Sequence, residues 1–135
     1  MEDYDDVIAL WEETVLPYKP RGRDARERIS REIEQPNCIF LVAEMDGRVV
    51  GTVLGTHDGR KGWINRLAVL PEYQRKGIGK TLVEEVERRL MDMGIEIIAC
   101  LVEAWNTSSL KFFEQLGYMK HEDIIYHTKR KHPDV

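Results

Sequence analysis

The chain has 135 residues, enough for one domain, residues 1–135, with a sizeable core. With 33% charged and 42% hydrophobic residues its composition is that of an ordinary globular protein, and a net charge of -4 excludes an overall basic nucleic-acid binder. No apolar run reaches the ~20 residues of a membrane helix, and the acidic start Met1-Glu2-Asp3 is unlike a secretory leader, so no membrane partner and a cytoplasmic location are expected.

Residues 3–16 carry Val7, Leu10, Trp11 and Val15 at helical spacing, and Pro17 and Pro20 break the run. Residues 23–35 predict a second helix with a thin apolar stripe, Ile29 and Ile33, ended by Pro36. The charges over 21–31 read as a solvated face, with a place beside a substrate as the alternative. Residues 38–44 predict a strand, Asp46-Gly47 a hairpin turn, and 48–56 the returning strand. Asp58-Gly59 marks another turn before a third strand at 63–69. A long helix over 77–93 turns Leu82, Val83, Val86, Leu90 and Met93 inward, with Gly94 at its end. Residues 95–102 are apolar on both faces, as in a strand buried on both sides. A short helix over 107–116 ends at Gly117, and 118–129 predicts one or two final strands. Cys38 and Cys100 lie in apolar runs and read as buried free thiols in a reducing compartment. The sum is an α/β chain: a mixed antiparallel and parallel sheet flanked by helices on both faces, with 63–69 and 95–102 as its parallel pair.

The segment Leu67-Ala-Val-Leu-Pro-Glu-Tyr-Gln-Arg-Lys-Gly-Ile-Gly-Lys80 carries the strongest functional signal. A strand that feeds a glycine turn and a helix start makes an anion site, because free N–H groups and the helix dipole meet there. Gly77 and Gly79 allow close approach of a phosphate, and Arg75 and Lys76 add positive charge. Two nucleotide loops do not fit. Gly79-Lys80-Thr81 ends like a P-loop, but the first glycine of GxxxxGK[ST] falls on Gln74. A dinucleotide loop needs a third glycine where Leu82 stands. The histidines His57, His121 and His127 lack metal-site spacing, so no metal is expected.

The remaining pattern, Gln-x-x-Gly-x-Gly after an apolar strand, resembles the acetyl-CoA signature of the GNAT superfamily of N-acetyltransferases. A second block, Asn106-Thr-Ser-Ser-Leu-Lys-Phe-Phe-Glu-Gln-Leu-Gly-Tyr118, is similar to that family's Asn-x-x-Ala-x-x-x-Tyr-Glu-x-x-Gly-Phe, with Ser109 for Ala and Phe113 for Tyr. The resemblance implies the GNAT fold and acetyl-CoA as cosubstrate, with direct transfer to an amine acceptor. It implies that Gln74, Arg75, Lys76, Gly77, Ile78, Gly79, Lys80 and Thr81 hold the pyrophosphate. The backbone of Leu67, Ala68 and Val69 would pair with the pantetheine arm in a gap between the parallel strands. Asn106 and Phe113 would border the cofactor, Asn106 also reading as a helix N-cap.

The chain departs from the family at three places. Phe113 cannot protonate a leaving thiolate as the family's tyrosine would; Tyr118 and Tyr126 are alternatives, Tyr118 reading also as a core aromatic. The strand before the loop offers Trp63, Asn65 and Arg66 but no carboxylate, which leaves Glu103, a water relay or a histidine as the base. A non-catalytic CoA-binding sensor is therefore the rival reading. Finally, the usual first strand is missing ahead of 3–16, which predicts either a start lying downstream of the true one or a homodimer paired along the unguarded edge 38–44, with cover of that edge by the loop 17–23 or the tail as the alternative.

Overall fold

The computed structural model describes residues 3–14 and 23–133. Its elements are α1 (Tyr4–Glu13), α2 (Arg26–Glu32), β1 (Cys38–Met45), β2 (Arg48–His57), β3 (Lys61–Val69), a 3-10 turn (Pro71–Tyr73), α3 (Ile78–Asp92), β4 (Ile97–Cys100) and α4 (Thr107–Gln115). Val15, Leu16, Pro17 and Pro20 lie outside the described residues. The sheet order is β1-β2-β3-β4, antiparallel across the first two pairings and parallel across the third. The β1–β2 hairpin turns at Asp46 and Gly47, both at positive φ (54° and 75°), the conformation that Asp-Gly supplies most readily.

Period-two alternation divides the core between the two faces of the sheet. On one face Val7, Leu10 and Trp11 of α1 and Ile29 of α2 pack on Val50 and Ala68. On the other, Leu82, Val83, Val86 and Leu90 of α3 and Phe113 of α4 pack on Ile39, Val53 and Ile64. Glycines let α3 lie close to the sheet. A Cβ at Gly55 would come 2.5 Å from Val86 Cγ1, and one at Gly62 would come 2.8 Å from Leu90 Cδ1. Gly55→Ala should therefore overpack the interface and lower unfolding stability by about 1–3 kcal/mol, read as a lower urea midpoint at unchanged m.

Three expectations are corrected. Residues 118–129 form no strand: Ile124, Ile125 and Tyr126 are exposed and no ladder includes them. Strand-like composition needs a partner's N–H and C=O groups to become a strand, and here none is engaged. The strand expected over 95–102 shortens to Ile97–Cys100, because β3 is its sole neighbour among the described residues. Met93 does not face inward but is 46% exposed. It occupies the C-cap position, where the chain leaves α3 through Gly94 at φ 87°. No helix of the described residues is long and apolar enough to cross a membrane.

Candidate active site

The parallel β3–β4 ladder runs from Lys61↔Ile97 to Ile64↔Cys100 and stops there. β3 continues to Val69 while the other chain leaves toward α4, so the edge of Leu67, Ala68 and Val69 on that side carries no β4 partner. The split coincides with a bulge in β3. Thr52 pairs with Ala68 and Leu54 with Asn65, which sets two residues, Arg66 and Leu67, against Val53 alone. Arg66 takes φ 55°, a conformation a side chain with a Cβ rarely holds unless its surroundings impose it.

The surroundings do impose it. The Thr52 hydroxyl donates to the Arg66 carbonyl at 2.8 Å and accepts from Trp11 Nε1 at 3.0 Å. Arg66 Nη2 donates to both oxygens of Asp24, at 3.0 and 2.7 Å, and its guanidinium lies 5.1 Å from the centre of the Trp11 ring. Burial pushes the Arg66 guanidinium down from its ordinary value, and Asp24 opposes that. The Tyr4 hydroxyl donates to the Asp24 carbonyl at 2.7 Å. Asp24 is only 5% exposed. This corrects the solvated reading of its segment: Arg23, Arg26, Glu27, Arg28 and Arg31 are exposed, but Asp24 ties α1 and the start of α2 to the bulge. Two charges 42 positions apart give no local sequence signal, so neither this pair nor Thr52 is legible as part of the site.

After β3, the Leu70 N–H bonds to the Val50 carbonyl and Pro71 opens the 3-10 turn. Gln74 Nε2 donates to the Val69 carbonyl at 2.9 Å, which fastens the loop to the strand end. Arg75 and Gly77 follow at φ 63° and 84°. Gly77 caps α3 without a side-chain bond, and the first intrahelical bond is Thr81 N–H to the Gly77 carbonyl, 3.0 Å. The N–H groups of Ile78, Gly79 and Lys80 therefore lie outside the helix ladder at its positive end. Gln74, Arg75, Lys76, Gly77, Lys80 and Thr81 are exposed, and a Cβ on Gly77 would meet no atom within 4 Å. The loop is thus an open, positively charged cradle of backbone donors, and it fits a diphosphate.

The second block closes the far side of this loop. Phe112, which sequence reasoning missed, reaches toward it: a Cβ on Gly79 would lie 3.5 Å from the Phe112 ring and 3.8 Å from Val69 Cγ2. Phe113 is buried, edge-on to Phe112 and to Tyr118 at 5.1 and 5.2 Å between ring centres. The Tyr118 hydroxyl donates to Glu87 of α3 at 2.7 Å, and burial together with that carboxylate pushes its pKa up. This agrees with a packing role for Tyr118. Asn106 Oδ1 accepts from the Ser109 N–H at 3.2 Å, the N-cap of α4. Glu103 is exposed between β4 and α4, its carbonyl accepting from the Asn106 N–H. His57 is the last residue of β2, its Nδ1 accepting from the Gly59 N–H of the following turn; His121 and His127 are in the exposed tail.

The family model described as the acetyltransferase (GNAT) family matches residues 6–118. The chain belongs to this family. The match makes the protein an acyltransferase by descent and accounts for the mixed sheet and its parted parallel strands. Solved structures with the GNAT fold are similar over nearly the whole chain. One is the aminoglycoside N-acetyltransferase AAC(6')-Iy with a bisubstrate analogue, CoA-S-monomethyl-acetylneamine: 20% identity over 96% of this chain and 92% of that one, TM-score 0.79. Another is PaiA N-acetyltransferase from Thermoplasma acidophilum in complex with coenzyme A: 24% identity, 91% and 87% coverage, TM-score 0.79. A transcriptional regulator from Bacillus halodurans C-125 is similar at 20% identity, 94% coverage of each chain and TM-score 0.78. At these identities the likeness is one of fold.

Proposed function

We propose that the protein transfers the acetyl group of acetyl-CoA directly to a primary amine while both are bound. The observation that carries this is the open cradle Gln74–Thr81 set beside the edge of Leu67, Ala68 and Val69 that has no β4 partner. The cradle's backbone donors, with Arg75, Lys76 and Lys80, take the pyrophosphate. The β3 edge offers its N–H and C=O groups to the amides of the pantetheine arm, as to an added strand. Asn106 and Phe113 border the arm, and Phe112 backs the loop. This brings the thioester to the gap between β3 and β4, where positioning alone supplies a large share of the rate, ~7–11 kcal/mol in favourable cases.

The acceptor must lose a proton before it attacks. An alkylamine has a pKa of ~10.4 and a chain N-terminus ~8. Glu103, at the open end of the gap, serves as the base or passes the proton to bulk water. The leaving group needs less help, since a thiol has a pKa of ~8.5 and its thiolate departs without a proton. The net charge of -4 favours a cationic acceptor, and the aminoglycoside N-acetyltransferase among the similar structures holds an analogue that joins CoA to acetylneamine. A cytoplasmic setting accords with the free thiols of Cys38 and Cys100, both pushed up to about 11 by burial and so unreactive.

Phe113 and the absence of a carboxylate on β3 favour a second reading, a CoA-binding module without turnover. Release of CoA thiol over a panel of small amines, aminoglycosides and peptide N-termini separates the two. Amine-dependent release supports transfer; tight acetyl-CoA binding with no release from any amine supports the module. Phe113→Tyr should keep or raise turnover in the protein that folds, because the phenol adds an acid, at the cost of one hydroxyl among the Phe112 and Tyr118 rings. Loss of all turnover in a Phe113→Tyr protein that still binds acetyl-CoA would contradict a tyrosine-independent leaving step.

A further inference from the structure

On the reading that acetyl-CoA is the cosubstrate, we propose that its adenine ring lodges in the cavity between the edge of β1 and the first two turns of α3, bonded there by the backbone of Val42. The cavity, about 390 Å³, has the size of a small-molecule site and shares Lys76 and Gly77 with the phosphate cradle. Its walls are apolar: Leu41 and Ala43 of β1, and Ile78 and Leu82 one turn apart on α3. Small residues make the room. Ala43 pairs with Gly51, and a Cβ on Gly51 would already lie 3.2 Å from Leu82 and 3.4 Å from Ile78. An apolar slot beside a phosphate site suits a flat ring, and charge would be costly inside it.

The order of the subsites matches the order of groups along acetyl-CoA. In the sheet β1-β2-β3-β4 the cavity adjoins β1, whereas the edge without a β4 partner belongs to β3. The start of α3 stands between them, with Gly79 toward Val69 and Phe112, and Ile78 and Leu82 toward the cavity. Two strand spacings, about 10 Å, separate β1 from β3. With the pantetheine arm on the β3 edge and the diphosphate on the cradle, ribose and adenine continue toward β1. Val42 supplies the polar contact. The His57 N–H donates to the Asn37 carbonyl at 3.1 Å, so Ile39, Leu41 and Ala43 turn their N–H and C=O groups to β2. Phe40 and Val42 therefore turn theirs outward, and the Cys38 N–H agrees, donating away from β2 to the Gln35 carbonyl. The Val42 side chain packs on the α1 side of the sheet, so its backbone is what lines the cavity. An N–H and a C=O side by side match a ring nitrogen and the amino group of adenine. Lys76 Nζ lies 5.4 Å from the centre of the Tyr73 ring and makes no ion pair among the described residues, which leaves it for the 3′-phosphate. Glu85 on the far wall does not oppose this, because Arg88 and Arg89 hold its carboxylate at 2.6 and 2.9 Å.

The test is amide exchange on the full chain, free, with acetyl-CoA, and with acetyl-4′-phosphopantetheine, which ends before the nucleotide. Acetyl-CoA should slow the amides of Ile78, Gly79, Lys80 and Val42, and the truncated thioester should slow the first three alone. Ala43→Phe, which places a ring in the cavity, should weaken acetyl-CoA about tenfold by titration calorimetry and the truncated thioester little. Acetyl-CoA that slows the loop amides but leaves Val42 fast overturns the adenine site. So does a Val42 amide that is already slow in the free protein, since another strand then occupies the edge. So does a folded Ala43→Phe protein that binds acetyl-CoA as tightly as the wild type. In each of these cases acetyl-CoA still stands as the cosubstrate at the loop. Acetyl-CoA that slows neither segment refutes that reading itself, and the adenine site falls with it.

Discussion

Gly77→Glu should abolish acetyl-CoA binding while leaving the fold in place. Nothing in the protein lies within 4 Å of a Cβ at this position, so the new side chain does not collide with the protein. It does meet two local costs. The φ of 84° disfavours a residue with a Cβ by about 1–2 kcal/mol. More important, a carboxylate would stand at the mouth of the donors that face the pyrophosphate. Like charges in such contact cost several kcal/mol, which corresponds to roughly a hundredfold or more in affinity. Gly77→Asn is the control, because Asn tolerates the left-handed conformation and is neutral. Acetyl-CoA should raise the melting temperature of the wild type and of Gly77→Asn, but not of Gly77→Glu. Equal shifts in all three would remove the loop from the cofactor site. ATP should shift none of them much, since Gln74 stands where a P-loop needs glycine.

Asp24→Ala should be the most destabilising single change at the site. It takes from the Arg66 guanidinium, whose side chain is 12% exposed, the carboxylate that both its short bonds reach. Breaking one side of a buried ion pair costs about 3–5 kcal/mol. Asp24→Asn, which keeps the shape and one acceptor, should cost less. Replacing both partners, Asp24→Leu with Arg66→Met, should recover much of the loss, because no charge is then left buried. The functional consequence follows from the bulge: the Asp24 carboxylate is one of the tethers, with the Trp11 ring and the Thr52 hydroxyl, that hold Arg66 in its conformation. The KM for acetyl-CoA should then rise in any variant that still folds. Urea unfolding of the wild type, Asp24→Leu, Arg66→Met and the double variant gives the coupling energy as a double-mutant cycle. A coupling near zero would show that the pair holds nothing.

The elements that could be read from the sequence are those whose signal is local. The 3.6-residue stripe of Leu82, Val83, Val86 and Leu90 gave α3, and Asp46-Gly47 gave the hairpin. The loop was legible because its chemistry sits within a few consecutive residues: a strand end, two glycines and two cations. Where partnership decides, the sequence was a poorer guide. Ile124-Ile125-Tyr126 has strand composition, but composition does not say which edge will take it. Asp24 and Arg66 look like ordinary surface charges until α1, α2 and the β3 bulge bring them together. Phe113 caught attention for the hydroxyl it lacks, while Phe112, one position earlier, is the ring that lies against Gly79.

The central claim is that an acetyl group passes from CoA bound at the Gly77 loop to an amine. The most direct measurement is the mass of the acceptor after a single turnover with acetyl-CoA, wild type beside folded Gly77→Glu. The predicted result is an acceptor heavier by one acetyl group, with equimolar free CoA, in the wild type alone. Transfer at the same rate in both proteins would contradict the placement of the cofactor, and tight acetyl-CoA binding without transfer to any amine would contradict the reaction.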